Sequence, residues 1–237
     1  MQRGFYNMLE SFARILSDPH RVDMLFNAML ITIQISLGAV FLGLIIGSIM
    51  AAFNMSDIGF VVKGKKIRPL RLIAFVYLGV IRGTPAVTQL LIITHTVFAA
   101  VRGVSVWVGI VALGINSGAY VAEIIRAGIL SVDKGQMEAG LSLGFNKAQT
   151  MIFIVMPQAI KNILPAFINE FIVLIKETAI VGFVGLQDIN RVGQLIMAQT
   201  FDVTPLFITA LMYLFLISVL TMLLSLFEKK LRSSDRK

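Results

Sequence analysis

Several ionisable side chains lie inside the long apolar stretches of this sequence or at their ends, and six of them are candidates for binding a polar solute or forming a functional ion pair. The six are Arg82, Glu123, Arg126, Glu170, Lys176 and Glu177. A charged residue at the centre of a bilayer costs about 2.5–3.5 kcal/mol on insertion scales, so residues of this kind are candidate functional sites. The chemistry that they offer is the noncovalent binding of a polar solute.

The sequence offers no residues for covalent or metal chemistry. It contains no Cys, and its two histidines, His20 and His95, are too far apart to suggest a metal site. No nucleophile–base pair stands out, so an enzyme is disfavoured and neither a metal nor a cofactor is predicted. Residues 59–66 approach the spacing of a phosphate-binding loop, but Lys66 stands where the magnesium-binding hydroxyl should be, so ATP binding by this chain is not expected.

Arg82 lies beside two helix-interrupting residues, Gly83 and Pro85, near the middle of an apolar stretch. A broken membrane helix exposes backbone groups that can bind a zwitterion, and Arg82 and Thr84 are therefore candidate substrate-binding residues. The alternative is that Arg82 braces the break by bonding the carbonyls that it frees.

The other candidates are placed by helical spacing. Glu170 and Glu177 are seven residues apart, so they lie on one face of a helix, whereas Lys176 is offset by about 100°. Asn116 and Thr178 could donate hydrogen bonds to a solute, although Asn116 would serve equally as interhelical glue.

Glu123 and Arg126 are three residues apart near the end of an apolar stretch, and they share a helix face. They are predicted to form either a structural pair or an element of a gate.

Composition places the elements that position these residues in a membrane. Of 237 residues, 57% are hydrophobic and only 14% are charged, against about 25% in soluble domains. Crossing the hydrocarbon core takes about 20 residues. Five stretches reach that length, at about residues 25–53, 70–101, 104–125, 163–184 and 205–227. We therefore predict an all-α membrane protein with five transmembrane helices, forming a single domain over residues 1–237.

Basic residues are distributed unevenly among the connecting segments. Fourteen Lys and Arg fall in the segment between spans 1 and 2, the segment between spans 3 and 4, and the tail, against five on the opposite side. By the positive-inside rule the fourteen face the cytoplasm. This predicts an external N-terminal segment (1–24), a five-span core (25–227) with a cytoplasmic loop (127–161), and a basic cytoplasmic tail (228–237). The net charge of +8 is then a topology signal, and no nucleic-acid partner is predicted.

The loop between spans 3 and 4 has the composition of two short helices. Asp133 is predicted to cap the first helix, and Gly144 breaks the chain. Asn146 is predicted to cap a second helix that ends at Pro157. On periodicity alone, a large loop with interfacial helices is the simpler interpretation.

The same loop resembles the cytoplasmic signature of bacterial ABC importer permeases, EAA-x3-G-x9-I-x-LP. The residues that carry it are Glu138, Ala139, Gly140, Gly144, Ile154 and Pro157. Gly140 stands in place of the second Ala, and Gly lowers helix stability by roughly 1 kcal/mol relative to Ala. Met156 stands in place of the Leu.

Three further runs are similar to motifs of the polar amino acid permease subfamily. They are RGTP at 82–85, NSGAYVAEIIR at 116–126 and LPAFINEFIVLIKET at 164–178. With the loop, they extend the resemblance from about residue 27 to the C-terminus.

The resemblance implies a multi-pass permease subunit of the bacterial inner membrane, embedded in lipid. Its expected partners are a second permease subunit in a homo- or heterodimer, a cytoplasmic ABC ATPase dimer and an extracytoplasmic solute-binding protein. The ATPase would hydrolyse ATP, and the loop helices would transmit its motion to the spans. The substrate would be a polar amino acid, and an acidic face with Glu170 and Glu177 would suit a cationic one unless Arg82 or the paired subunit neutralises a carboxylate.

Two other transport functions remain open. One is a permease of the same family for another solute, such as an opine or a sulfur-containing amino acid. The other is a self-sufficient secondary transporter driven by H⁺ or Na⁺, a class that usually carries inverted repeats and more spans. No internal repeat is evident in this sequence.

Overall fold

A computed structural model describes residues 2–62, 65–100 and 105–234 of the chain. The helices are α1 (Gln2–Leu16), α2 (Pro19–Met55), α3 (Pro69–Gly83), α4 (Ala86–Thr96), α5 (Val106–Leu130), α6 (Lys134–Ser142), α7 (Lys147–Thr150), α8 (Met156–Glu177), α9 (Ile189–Thr200) and α10 (Thr204–Ser234). A π-helical turn (Met151–Val155) precedes α8 and a 3₁₀ segment (Thr178–Val184) follows it, while β1 (Phe60–Val62) and β2 (Lys65–Ile67) form a hairpin. Four residues of the charge argument, Lys63, Arg102, Arg236 and Lys237, lie outside the described residues.

Four helical stretches are long and apolar enough to cross a membrane. They are α2, α5, Lys147–Val184 and Thr204–Lys229. The pair α3 and α4 passes the same test only when taken together, because the two helices meet at an angle of 109°. The described chain therefore has four continuous spans and a fifth if the broken pair counts as one, where the sequence predicts five.

The break between α3 and α4 falls where the sequence places it, at Thr84 and Pro85. Thr84 has an extended backbone, with φ −125° and ψ 149°. The proline ring disfavours a helical conformation in the preceding residue, and proline itself cannot donate a helical hydrogen bond. Local chemistry therefore explains the bend.

The core of the bundle is the long contact between α2 and α5. A Cβ on Gly43 would lie 3.0 Å from the Ser117 Oγ, and a Cβ on Gly47 would lie 2.7 Å from the Cβ of Val121. The small-residue ridge of the first span, Gly43, Gly47 and Ala51, is buried. It forms a packing seam within the subunit, because only residues without large side chains permit this approach.

The two ends of the bundle differ in character. At one end, which we call the hairpin end, the last residues of α2 and α5 meet the first turn of α3 and helix α6. At the opposite end, α1 and α9 pack on the first half of α2 through Ile15, Leu25 and Ile196. The segment between spans 1 and 2 and the loop between spans 3 and 4 thus lie at one end, as the charge pattern requires.

The second helix of the loop differs from the prediction. It does not end at Pro157, because α7 continues through the π-helical turn into α8 without interruption. The Met156 N–H donates to the Met151 carbonyl five residues back. A π turn adds one residue to the helical turn, and it accommodates the missing N–H of Pro157 and the clash of its ring with the preceding turn.

Three further features of the structure were not part of the prediction. The chain is not purely helical, because the segment between α2 and α3 forms the hairpin of β1 and β2. The N-terminal segment 1–24 contains α1 and the first turn of α2, where Pro19 follows the cap residue Asp18. Helix α5 extends to Leu130, so the loop expected from residue 127 begins later.

Candidate functional site

The broken pair of helices is held open by one buried amide, that of Gln89. Its Nε2 lies 2.7 Å from the Ile81 carbonyl oxygen, 2.7 Å from the Thr84 Oγ1 and 3.1 Å from the Thr84 carbonyl oxygen. These are carbonyls that the break frees from helical bonding. The sequence left open whether Arg82 bonds the carbonyls freed at the break. In the structure, Gln89 makes these bonds.

Asn116 fixes this amide from the neighbouring helix. Its Nδ2 donates to the Gln89 Oε1 at 2.9 Å, and both side chains are buried. Asn116 therefore acts in this structure as the interhelical bond that the sequence left as an alternative. Its amide thereby holds Gln89 at the break between α3 and α4.

The next residue of α5 extends the same polar layer to α8. The Ser117 Oγ donates to the Glu170 Oε1 at 2.9 Å, and Glu170 is buried. A buried carboxylate requires hydrogen-bonding or charged partners because desolvation disfavours its ionised form. Asn116 and Ser117 thus connect the helix break on one side of α5 to an acidic group on the other.

Arg82 lies exposed at the end of α3, with its guanidinium carbon 5.8 Å from the centre of the Tyr120 ring. At that distance the cation is attracted to the aromatic face. Tyr120, Glu123 and Arg126 follow one another at intervals of three on α5 and share a face. This places a track of charged and aromatic side chains along the exposed side of α5.

Glu123 and Arg126 form a two-point ion pair at the lower end of this track. The Arg126 Nε donates to the Glu123 Oε2 at 3.1 Å, and a second bond joins the Arg126 Nη2 to the Oε1. The pair lines an open cavity of about 490 Å³ at the hairpin end, together with Asn54 and Arg71.

The remaining candidates do not join this track. Lys176 is exposed and lines a different cavity, of about 360 Å³, with Asn190 and Tyr213 between α8, α9 and α10. Thr178 is buried and donates to the Ile175 carbonyl, and Glu177 is half-buried. Among the described residues, therefore, the structure brings Asn116 and Thr84 together through Gln89 but leaves Arg82 and Lys176 in separate places.

The loop motif forms a compact turn of two short helices. Asp133 accepts from the Gly135 N–H at 2.7 Å, and Asn146 and Gln149 make reciprocal caps at 2.9 Å. Gly144 has φ +89°, a left-handed conformation that glycine adopts without steric cost. Both caps and the turn are those expected from the sequence.

Gly140 is the residue at which the two short helices touch. A Cβ there would lie 2.4 Å from the Thr150 Cγ2, and Gly140 and Thr150 are both buried. Glu138, Ala139 and Leu143 are exposed, Leu143 by 77%. Glycine at this position permits close packing of α6 on α7, which leaves the outer surface of the turn free for a partner.

Three residues of the site, Gln89, Ser117 and Tyr120, were not among the predicted site residues, although they lie in or shortly after the runs that resemble the amino acid permease motifs. Tyr120 could have been found from its spacing of three before Glu123. Gln89 follows Pro85 by four residues, which places its side chain one turn into the next helix, close to the break. Ser117 lies in the motif run 116–126, but its bond to Glu170 could not be predicted, because that partner is distant in the chain.

Within the part of the chain that the structure describes, no group of three His, Asp or Glu side chains is arranged to hold a metal ion.

A family model and several individual proteins match this sequence. The model of the family described as "Binding-protein-dependent transport system inner membrane component" matches residues 43–233. The arginine transport system permease protein ArtQ of Bacillus subtilis is 38% identical over 219 residues, which cover 91% of this chain and 95% of the relative. The glutamine transport system permease protein GlnP of Escherichia coli K12 is 32% identical over 215 residues, which cover 89% and 94%.

Solved structures give the same result. The chain matches one described as "Crystal structure of an amino acid ABC transporter with histidines" with a TM-score of 0.81 and 40% identity, over 91% of this chain and 98% of that one. It matches an inward-facing structure of the MetNI methionine ABC transporter with a TM-score of 0.77 at 16% identity, which is evidence for the fold alone.

Proposed function

This chain belongs to the family of binding-protein-dependent transport system inner membrane components, and we propose that within this family it is the membrane subunit of an ATP-driven importer for a polar amino acid. The resemblance drawn from its motifs is confirmed by that family match and by the similarity to amino acid permeases. In the proposed assembly, two permease subunits form the path, a cytoplasmic ATPase dimer drives it, and an external binding protein delivers the solute.

The observation that carries the proposal is the turn formed by α6 and α7. It is exposed on its outer side, closely packed inside at Gly140, and continuous with a membrane span through the π-helical turn. A rigid projection of this kind can seat in a groove of a separate protein and transmit its movement. The motif residues Glu138, Ala139, Gly144, Ile154 and Pro157 build or flank this projection.

The test exploits the conformation of Gly144. A Cβ at this position meets no neighbouring atom within 4 Å, so a substitution is limited by the backbone rather than by space. Asn tolerates the left-handed conformation, whereas a β-branched residue does not. Gly144→Asn should therefore keep most of the ATP-driven uptake in vesicles that contain the ATPase and binding protein, while Gly144→Val should lose it with normal membrane insertion.

Two results would contradict the coupling proposal. One is equal uptake by the Gly144→Val and Gly144→Asn variants. The other is uptake of amino acid by the purified chain in vesicles without any ATPase, which would favour an ion-coupled secondary transporter instead.

We further propose that the solute is cationic. The supporting observations are the buried carboxylate of Glu170, the half-buried Glu177, and a relative named for arginine transport. Arg82, Thr84, Asn116, Lys176 and Thr178 stay candidates for positioning it.

Relatives named for glutamine transport supply the competing expectation of a neutral solute. Glu170→Gln keeps the size of the side chain and an acceptor for Ser117, and removes the charge. If the solute is cationic, this variant should lose stimulation of ATP hydrolysis by arginine, lysine and histidine. The cationic assignment would be refuted if glutamine stimulated ATP hydrolysis equally with the wild type and with Glu170→Gln, while cationic amino acids stimulated it with neither.

A further inference from the structure

The hairpin of β1 and β2 exposes apolar side chains that the rest of the described chain leaves uncovered. Phe60 is 56% exposed, Val61 69% and Ile67 39%. The register places Phe60 opposite Ile67 and Val61 opposite Lys66, and because successive residues alternate between faces, apolar groups project from both. The two strands pack chiefly on each other. An isolated two-stranded hairpin is only marginally stable in water, so this surface requires a cover.

The hairpin has a defined shape and a defined place. A Cβ on Gly59 would lie 2.2 Å from the Ile67 carbonyl oxygen, so the base of the hairpin closes only around glycine. The Arg68 Nη2 lies 3.0 Å from the Asp57 Oδ1 and ties the two ends of the segment together. Because α2 ends at Met55 and α3 begins at Pro69, the hairpin sits within a few residues of two membrane helices.

The charge of the hairpin is positive and largely unneutralised. Lys65 and Lys66 are exposed, and in the described part of the chain neither has a carboxylate within 4.0 Å, whereas Arg68 is paired with Asp57. Apolar side chains beside free lysines are the composition of segments that lie in the interface of an anionic bilayer. Neither strand packs appreciably on α6 or α7, so the hairpin is separate from the proposed ATPase-binding turn.

We propose that this hairpin is an interfacial anchor, in which Lys65 and Lys66 bind the headgroups of anionic phospholipids while Phe60 and Val61 enter the boundary of the acyl chains. The inference requires that the chain spans a membrane. It does not depend on the solute, on the ATPase or on which side of the membrane the hairpin faces.

The test uses tryptophan fluorescence, since Trp107 is the single Trp of the chain. Phe60→Trp is made in a Trp107→Phe background, and the full chain is reconstituted in vesicles of phosphatidylcholine and phosphatidylglycerol. Bromine, which quenches tryptophan, is carried either on the acyl chains of the phosphatidylglycerol or on the same fraction of the phosphatidylcholine. We expect stronger quenching when the anionic lipid carries the bromine.

The contribution of the lysines is measured in the same reporter. A basic residue near an anionic surface contributes on the order of 1 kcal/mol, which is roughly a fivefold preference. Lys65→Gln with Lys66→Gln should therefore remove most of the preference for phosphatidylglycerol, as should high salt. A reporter at Phe215, which is exposed on the span α10, is the control and should be quenched equally by both lipids.

The outcomes separate clearly. Equal quenching of the Phe60→Trp reporter by both lipids, or quenching by neither, overturns the proposal, and a spectral shift only on addition of the ATPase would assign the hairpin to that protein instead. If Phe60→Trp fails to fold, Val61→Trp on the other face of the hairpin gives the same test. No nucleotide or amino acid is present, so failure here leaves the transport proposal standing, and failure of transport leaves this result intact.

Discussion

Replacing Gln89 with Leu should destabilise the protein by more than the loss of one hydrogen bond would, because the Gln89 amide makes several. The side chain makes contacts with Ile81, Thr84 and Asn116, all by hydrogen bonds at 2.7–3.1 Å. Leu fills a similar volume and can make none of them. The substitution therefore tests the polar network at the helix break with little change in packing.

The magnitude follows from the number and burial of these bonds. Interhelical hydrogen bonds in membrane proteins average about 0.6 kcal/mol, with a maximum near 1.7. Two donated bonds and one accepted bond give about 2 kcal/mol for Gln89→Leu, and the unpartnered amide of the buried Asn116 adds about 1–3 kcal/mol. We expect a loss of about 3–5 kcal/mol in the free energy of unfolding.

The assay is a double-mutant cycle followed by equilibrium unfolding in mixed micelles, with helical circular dichroism as the signal. Asn116→Leu combined with Gln89→Leu removes both partners, so the double variant should be less destabilised than the sum of the single variants by about 1–2 kcal/mol. Thr96→Val is the control, because its hydroxyl bonds only the Ile92 carbonyl of its own helix. Additivity within about 0.5 kcal/mol would refute the network as described here.

Three further predictions follow from the same contacts. Gly140→Val should separate α6 from α7 and reduce ATP-driven uptake at least tenfold while the spans still insert, as measured by uptake and by protease accessibility. Arg126→Met should change the free energy of unfolding by less than about 1 kcal/mol, because the pair with Glu123 is about one-third exposed, so a large change in uptake would identify a gate rather than a structural pair. Hydrogen bonds from Ser11 and from Thr204 lower the pKa of Asp202 to about 2. The carboxylate should therefore stabilise the contact of α1 fully above about pH 4, and the difference in melting temperature between the wild type and Asp202→Asn should shrink below that pH and vanish once the pH has fallen through about 2.

The features that the sequence predicted correctly are those set by neighbours in the chain. Asp133 and Asn146 cap short helices because the acceptor and its N–H partners lie within three residues. The bend at Pro85 follows from the ring of that residue and its effect on Thr84. In these cases the residues that determine the local structure lie within a few positions of one another, so the sequence alone is sufficient to predict it.

The features that could not be predicted from the sequence depend on packing between distant segments. Glu170 and Ser117 meet only because α5 and α8 pack together, and the same is true of Asn116 and Gln89, which meet where α5 packs on α4. The continuation of α7 into α8 was missed for a different reason. Pro157 predicts a helix end by a local rule, but the π-helical turn that precedes it lets the helix continue into α8.

The continuity of that helix determines how movement at the hairpin end could reach the solute. From Thr150 to Glu170 the chain is helical throughout, a length of about 30 Å at 1.5 Å per residue. A displacement of α7 would therefore be carried along one element to the carboxylate that bonds Ser117. Since Asn116, the residue before Ser117, holds the Gln89 amide, the same displacement acts on the break between α3 and α4. In the proposed importer, coupling through α5 would require no long chain of side chains, because the adjacent residues Asn116 and Ser117 contact the helix break and α8 respectively.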